Sequence, residues 1–239
     1  MIDTALASGA AVLAGAFSLA TWERWLLRRR RHELAWAVAF ALYSVASFAL
    51  ALGVAGGWTP PVFRTFYGAG AVATVPVLAV GTVYFHFGRA VGDAVGALVT
   101  VLVAIGVGVV MASPLRAALP VDELARGSEV FDAGPRIFAA VGSGVGAVVV
   151  FAGAAWSAAR TRRARHTVAN LLLAAGVAAN GASGLLNSVL GEMRGFVVML
   201  GIGIVLLFAG FVVATTPNRP RVGLLPERAS QQLAAESMR

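Results

Sequence analysis

Asn180, Ser183 and Asn187 recur at three- and seven-residue offsets inside a long uncharged stretch. On a helix that spacing places them on one face with Gly184. Amides and hydroxyls can hydrogen-bond a small polar solute, and in lipid they are costly unless they face protein or water. Read as packing, the same face is interhelical polar glue, worth about 0.6–2 kcal/mol per contact. Tyr43, Ser44 and Ser47 fall in a second apolar stretch, and Tyr67, Thr74, Thr82 and Tyr84 in a third. Asn180, Ser183, Asn187, Tyr43, Ser47, Tyr67 and Thr74 are the candidates for a substrate pocket, although Ser and Thr commonly satisfy their own helix backbone. Pro76 removes a backbone donor from the third stretch and predicts a kink there.

The ionisable residues sit at the ends of the apolar stretches. His32, His86 and His166 are expected at one rim, where converging imidazoles would hold a metal or form a proton-sensitive gate. The reading preferred from sequence is separate imidazoles among lipid headgroups at the cytoplasmic rim, with no metal bound. Arg64 and Arg194 begin two helices at the other rim and would draw an anionic solute into an outer vestibule. The alternative is that they snorkel or pair with loop carboxylates such as Asp122 or Glu123. Glu23 is expected to be the most deeply placed carboxylate, paired with Arg24 or Arg28. The span centres hold no carboxylate or histidine, which leaves a membrane-embedded metal-dependent enzyme as the weakest function class.

The elements that position these groups follow from composition. The chain has 239 residues, 59% hydrophobic and only 13% charged, against about 25% charged for an ordinary soluble domain. Stretches of 18 or so residues without charge mark bilayer-spanning helices. Disorder, a disulfide scaffold and a thiolate metal site are excluded, since the chain is apolar and has no cysteine. The basic excess is all arginine. Without lysine there is no Schiff base and no phosphate-loop lysine.

The pattern predicts an all-α integral membrane protein with seven transmembrane helices: residues 5–27, 34–56, 62–87, 94–112, 137–159, 166–190 and 195–215. Residues 1–216 form one transmembrane domain, and residues 217–239 a short flexible tail. The first apolar stretch lacks a basic leader and reads as a retained helix. Fourteen of the 19 arginines follow odd-numbered helices, so that side is expected to be cytoplasmic, with the N-terminus outside. Gly53 with Gly57, Gly92 with Gly96 and Gly142 with Gly146 have the spacing of close helix packing.

Shifting the sequence by 134 residues lays Phe17 on Phe151, Trp22 on Trp156, Arg28 on Arg162 and His32 on His166. The shift predicts parallel repeats, residues 5–87 and 137–216, joined by a linker helix at 94–112. This three-plus-one-plus-three plan resembles the architecture of sugar-exporter and proline-glutamine-loop transporters, and more loosely that of microbial rhodopsins. The chain contains no proline-glutamine dipeptide and no retinal lysine, and no functional residue is carried over.

These features lead to the expectation of a small-solute transporter or permease in the plasma membrane, with a polar pocket between helices two, three and six. A seven-helix receptor or sensor signalling through a separate partner is the alternative. The expected partners are the lipid bilayer, a small solute or ligand and, in a homo-oligomer, further copies of the chain. Neither a cofactor nor nucleic acid is expected.

Overall fold

A computed structural model describes residues 2–116, 119, 127–160, 164–185 and 193–215. Among the described residues the regular structure is helical, and four helices are long and apolar enough to cross a membrane. These are Thr4–Arg28, Arg31–Gly56, Pro60–Ala112 and Ala133–Ser157. The seven stretches expected from sequence reduce to four by this measure for two reasons. Pro60–Ala112 counts as one helix, and Thr167–Gly181 and Val198–Gly210 are shorter apolar stretches.

Helix α1 (Ile2–Arg28) turns into α2 (Arg31–Gly56) through Arg29 and Arg30 alone. Arg29 has a left-handed backbone (φ 52°) and Arg30 an extended one, so the chain reverses in two residues. The two helices then run antiparallel, joined by Ser18 donating to the Ala37 carbonyl at 2.9 Å and Ser44 to the Ala11 carbonyl at 2.8 Å.

Past Thr59 the chain forms α3 (Pro60–Phe66), a π-helical segment (Tyr67–Thr74) and α4 (Val75–Ala112) without a break in winding until Gly88. Gly88 has φ 78° and ψ −167°, a region open essentially to glycine only. There the chain doubles back. Arg64 reaches Val110 and Ser113, Val72 faces Gly106, Val80 faces Gly96, and Tyr84 meets Asp93. Those pairings describe two antiparallel arms, residues 60–87 and 89–112, each longer than the roughly 30 Å hydrocarbon core at 1.5 Å per residue.

Helix α5 (Gly127–Val130) is one turn, followed by α6 (Ala133–Arg160), α7 (Ala164–Leu185) and α8 (Met193–Thr215). Helix α1 packs on α2, α2 on the 60–87 arm, that arm on α6, α6 on α7, α7 on α8, and α8 returns to α1. Ala14, Phe17, Phe40, Ala79, Val150, Val177, Ile204 and Leu207 fill the interior of this closed ring. No residue of the 89–112 arm belongs to that cluster, and its Leu98, Val101 and Ile105 are exposed, so the arm lies outside the ring. A second cluster closes the end away from the arginine-rich turns. It is built on Phe63, which is fully buried, with Trp58, Phe66, Tyr67 and Phe131 around it at ring-centroid distances of 5.4–6.4 Å.

Candidate functional site

The 60–87 arm changes register at the middle of the ring. In a π-helix each N–H bonds the carbonyl five residues back, so the donor to Ala71 O would come from position 76. Position 76 is proline, which has no N–H. The vacant carbonyl is instead satisfied by Ser143 of α6, whose hydroxyl donates to it at 2.7 Å. Helix α6 comes this close because a Cβ at Gly146 would stand 3.0 Å from the Val75 carbonyl oxygen and one at Gly142 3.2 Å from the Pro76 ring. The close packing read from the Gly142–Gly146 spacing is therefore present, and it has a polar purpose. Thr74 donates to Ala69 O at 2.8 Å, again five residues back, so its hydroxyl serves its own helix.

Tyr43 of α2 donates to Oδ1 of Asn180 of α7 at 3.1 Å. Asn180 lies against α8, where a Cβ at position 203 would fall 2.4 Å from Oδ1, so only glycine leaves room for the amide. Ala46, one turn from Tyr43, is 3.1 Å from the Cβ position of Gly70 in the π-helical segment, which puts the two features at one depth. Tyr43 of α2, Thr74 of the 60–87 arm, Ser143 of α6 and Asn180 of α7 are thus uncharged polar side chains on helices of the ring, the first and last bonded to each other and the two hydroxyls to backbone carbonyls. Two grooves also mark the bundle, but neither is lined by Tyr43 or Asn180.

Of the other expected pocket residues, Ser47 is buried on α2 and Tyr67 belongs to the aromatic cluster at the far end, its ring beside Phe63 and Phe131. Asn187 lies outside the described residues, as do the side chains of Ser183, His166 and Arg194. Arg64 donates to Ser113 O at 2.8 Å and Val110 O at 3.3 Å, the carbonyls of the residue that caps α4 and of one in its last turn. It caps a helix C-terminus, where a cation is favoured. His32 packs between Trp36 and Phe85, whereas His86 directs Nδ1 to the Thr82 carbonyl at 2.9 Å. Because a carbonyl only accepts, that nitrogen carries the proton, and Nε2 is buried with no hydrogen-bond partner among the described residues. Among the described residues no group of three or more His, Asp or Glu side chains can hold a metal.

Two carboxylates at the arginine-rich end escaped the sequence reading. Glu33, not Glu23, is the buried one. It is 1% exposed and pairs with Arg24 at 3.4 Å, whereas Glu23 is exposed. Asp93 joins three groups: Arg31 of α2, the Tyr84 hydroxyl at 2.7 Å and Arg89 at 3.5 Å. The signal for Asp93 was available, since it is the only carboxylate between Glu33 and Asp122. A lone acid beside an apolar helix needs a partner.

No protein-family model, no curated protein and no solved structure matches this chain.

Proposed function

We propose that the chain is a small-solute transporter crossing the plasma membrane seven times, with the N-terminus outside and the C-terminus cytoplasmic. The observation that carries this reading is the Tyr43–Asn180 bond inside a closed ring of helices, level with a π-helical segment. These side chains are neutral donors and acceptors, which suits a neutral, hydroxyl- or amide-bearing solute over an ion. A π-helical stretch next to a proline is also a place where a helix can change register.

The contact order of the ring supports the three-plus-one-plus-three plan. Under the 134-residue shift, the α1–α2 contact maps on α6–α7. The contact of α2 with the 60–87 arm maps on α7–α8, and that arm's contact with α6 maps on α8–α1. The 60–87 arm and α6 also run parallel, since Val75 lies by Gly146 and Thr82 by Gly153, as parallel repeats require. The peripheral 89–112 arm takes the place of the linker helix.

Uptake of a radiolabelled panel of sugars, polyols and neutral amino acids into proteoliposomes tests the reading. At least one solute should equilibrate across the membrane, and Tyr43→Phe and Asn180→Ala should each slow its entry tenfold or more. Saturable binding of a solute without entry would favour a receptor. Entry unaffected by either substitution would remove the Tyr43–Asn180 pair from the route.

A further inference from the structure

A groove of about 710 Å³ runs down the outside of the bundle between α2, the 75–87 stretch and the 89–112 arm. Its floor and walls are apolar, with Val38 and Leu42 from α2, Val80 from the middle helix, and Val103, Ala104 and Val107 from the outer arm, apart from Thr100, whose hydroxyl bonds its own helix at Gly96 O. At the arginine-rich end it finishes on Arg31, Tyr84 and Asp93. We infer that this groove binds one anionic phospholipid, its acyl chain along the 89–112 arm and its phosphate at Arg31 and Arg89.

Three observations fix the occupant. The groove lies on the outer face of helices long and apolar enough to cross a membrane, so, on the seven-span reading proposed above, it faces hydrocarbon. A gap left empty there would forfeit dispersion contacts along its whole lining, so a chain from the bilayer fills it. From Asp93 to Val107 it extends about 21 Å at 1.5 Å per residue, which accommodates a tail from one leaflet of roughly 15 Å half-thickness. The charge at its mouth is the third. Among the described residues Arg31 and Arg89 share the single carboxylate of Asp93, leaving one positive charge unmatched there, with Arg30 next in the chain. Arg31 is 43% exposed, so its guanidinium can hold Asp93 and a phosphate together. A phosphodiester headgroup with net charge −1 matches that surplus, and a zwitterionic one does not. Tyr84 and Asp93 orient the two arginines and would not touch the lipid phosphate.

Native mass spectrometry of the full chain in detergent, titrated separately with phosphatidylglycerol and phosphatidylcholine of equal chain length, tests the inference. Wild type should retain one phosphatidylglycerol at least tenfold more tightly than phosphatidylcholine. Arg31→Gln should abolish that preference. Ala104→Trp, at an exposed position that touches no charge, should weaken both lipids by filling the groove while leaving the melting temperature unchanged. Soluble glycerol phosphate at the same concentration should not compete, because it lacks the chain. Equal retention of the two lipids by wild type would overturn the proposal, and so would unchanged phosphatidylglycerol binding by Ala104→Trp.

Discussion

The Ser143 hydroxyl donates to the Ala71 carbonyl at 2.7 Å, at the position where the π-helical register would call for an N–H from residue 76 and proline supplies none. One side chain on α6 therefore completes the backbone of another helix, and the two helices cannot separate at this depth without leaving a carbonyl unsatisfied.

Removing that donor should be measurable. Ser143→Ala is expected to lower the unfolding free energy by about 1–2 kcal/mol, the range for an orphaned buried acceptor or an interhelical bond in a membrane. Pro76→Ala restores an N–H at the required position, so Ser143→Ala in that background should cost less than half as much. A double-mutant cycle read by denaturant unfolding in detergent checks both statements. Equal costs in the two backgrounds would mean that Pro76 is not the reason for the Ser143 bond.

Gly88 makes a purely conformational test possible. A Cβ there meets nothing within 4 Å, yet φ 78° with ψ −167° is a strained conformation for any L side chain. Gly88→Ala should cost about 1–3 kcal/mol. Gly9 of α1 also has open space around its Cβ position but lacks the positive φ. Gly9→Ala should be neutral or stabilising by up to about 1 kcal/mol, since alanine is the better helix former. Thermal unfolding of the pair separates backbone strain from sterics.

Arg64 holds the two arms of the hairpin through the Val110 and Ser113 carbonyls. Arg64→Ala should destabilise by about 1–2 kcal/mol, combining the lost cap with the lost cation at a helix C-terminus. Hydrogen exchange should rise selectively in residues 107–113. A role confined to attracting solute would leave exchange there unchanged.

The Arg24–Glu33 pair is asymmetric, with side-chain exposures of 28% and 1%. Arg24→Ala strands the buried carboxylate and should cost about 2–3 kcal/mol, below the range for a fully buried pair because Arg24 is partly solvated. Glu33→Gln keeps the shape and removes the charge. Adding it to Arg24→Ala should recover part of the loss, as measured by unfolding of the single and double variants. No recovery would show that the carboxylate's charge is not what makes the arginine necessary.

Much of the scaffold was legible because charge is so rare in this chain. Uncharged runs mark the helices, the break between residues 87 and 94 marks the reversal, and the spacing of Gly142 and Gly146 predicts the close approach of α6. Tyr43 and Asn180 stood out as polar groups in apolar surroundings, but 137 residues separate them, and periodicity within one helix says nothing about which helix faces it across the ring. Pro76 could be read as a missing donor, whereas the π register and its completion by Ser143 belong to tertiary packing. Glu33 and Asp93 were passed over because acids at helix ends resemble loop residues. Burial of Glu33 and the reversal at Gly88 turn both into structural partners of arginine.

The absence of cysteine allows the path of the chain through the bilayer to be measured directly, by labelling single cysteines with an impermeant maleimide in right-side-out and inside-out vesicles. Thr4→Cys, Thr59→Cys and Arg116→Cys should label only from one face, and Arg30→Cys, Ala90→Cys and Arg160→Cys only from the other. Labelling of positions 59 and 90 from the same face would contradict the two-armed crossing of residues 60–112, and with it the ring in which Tyr43 meets Asn180.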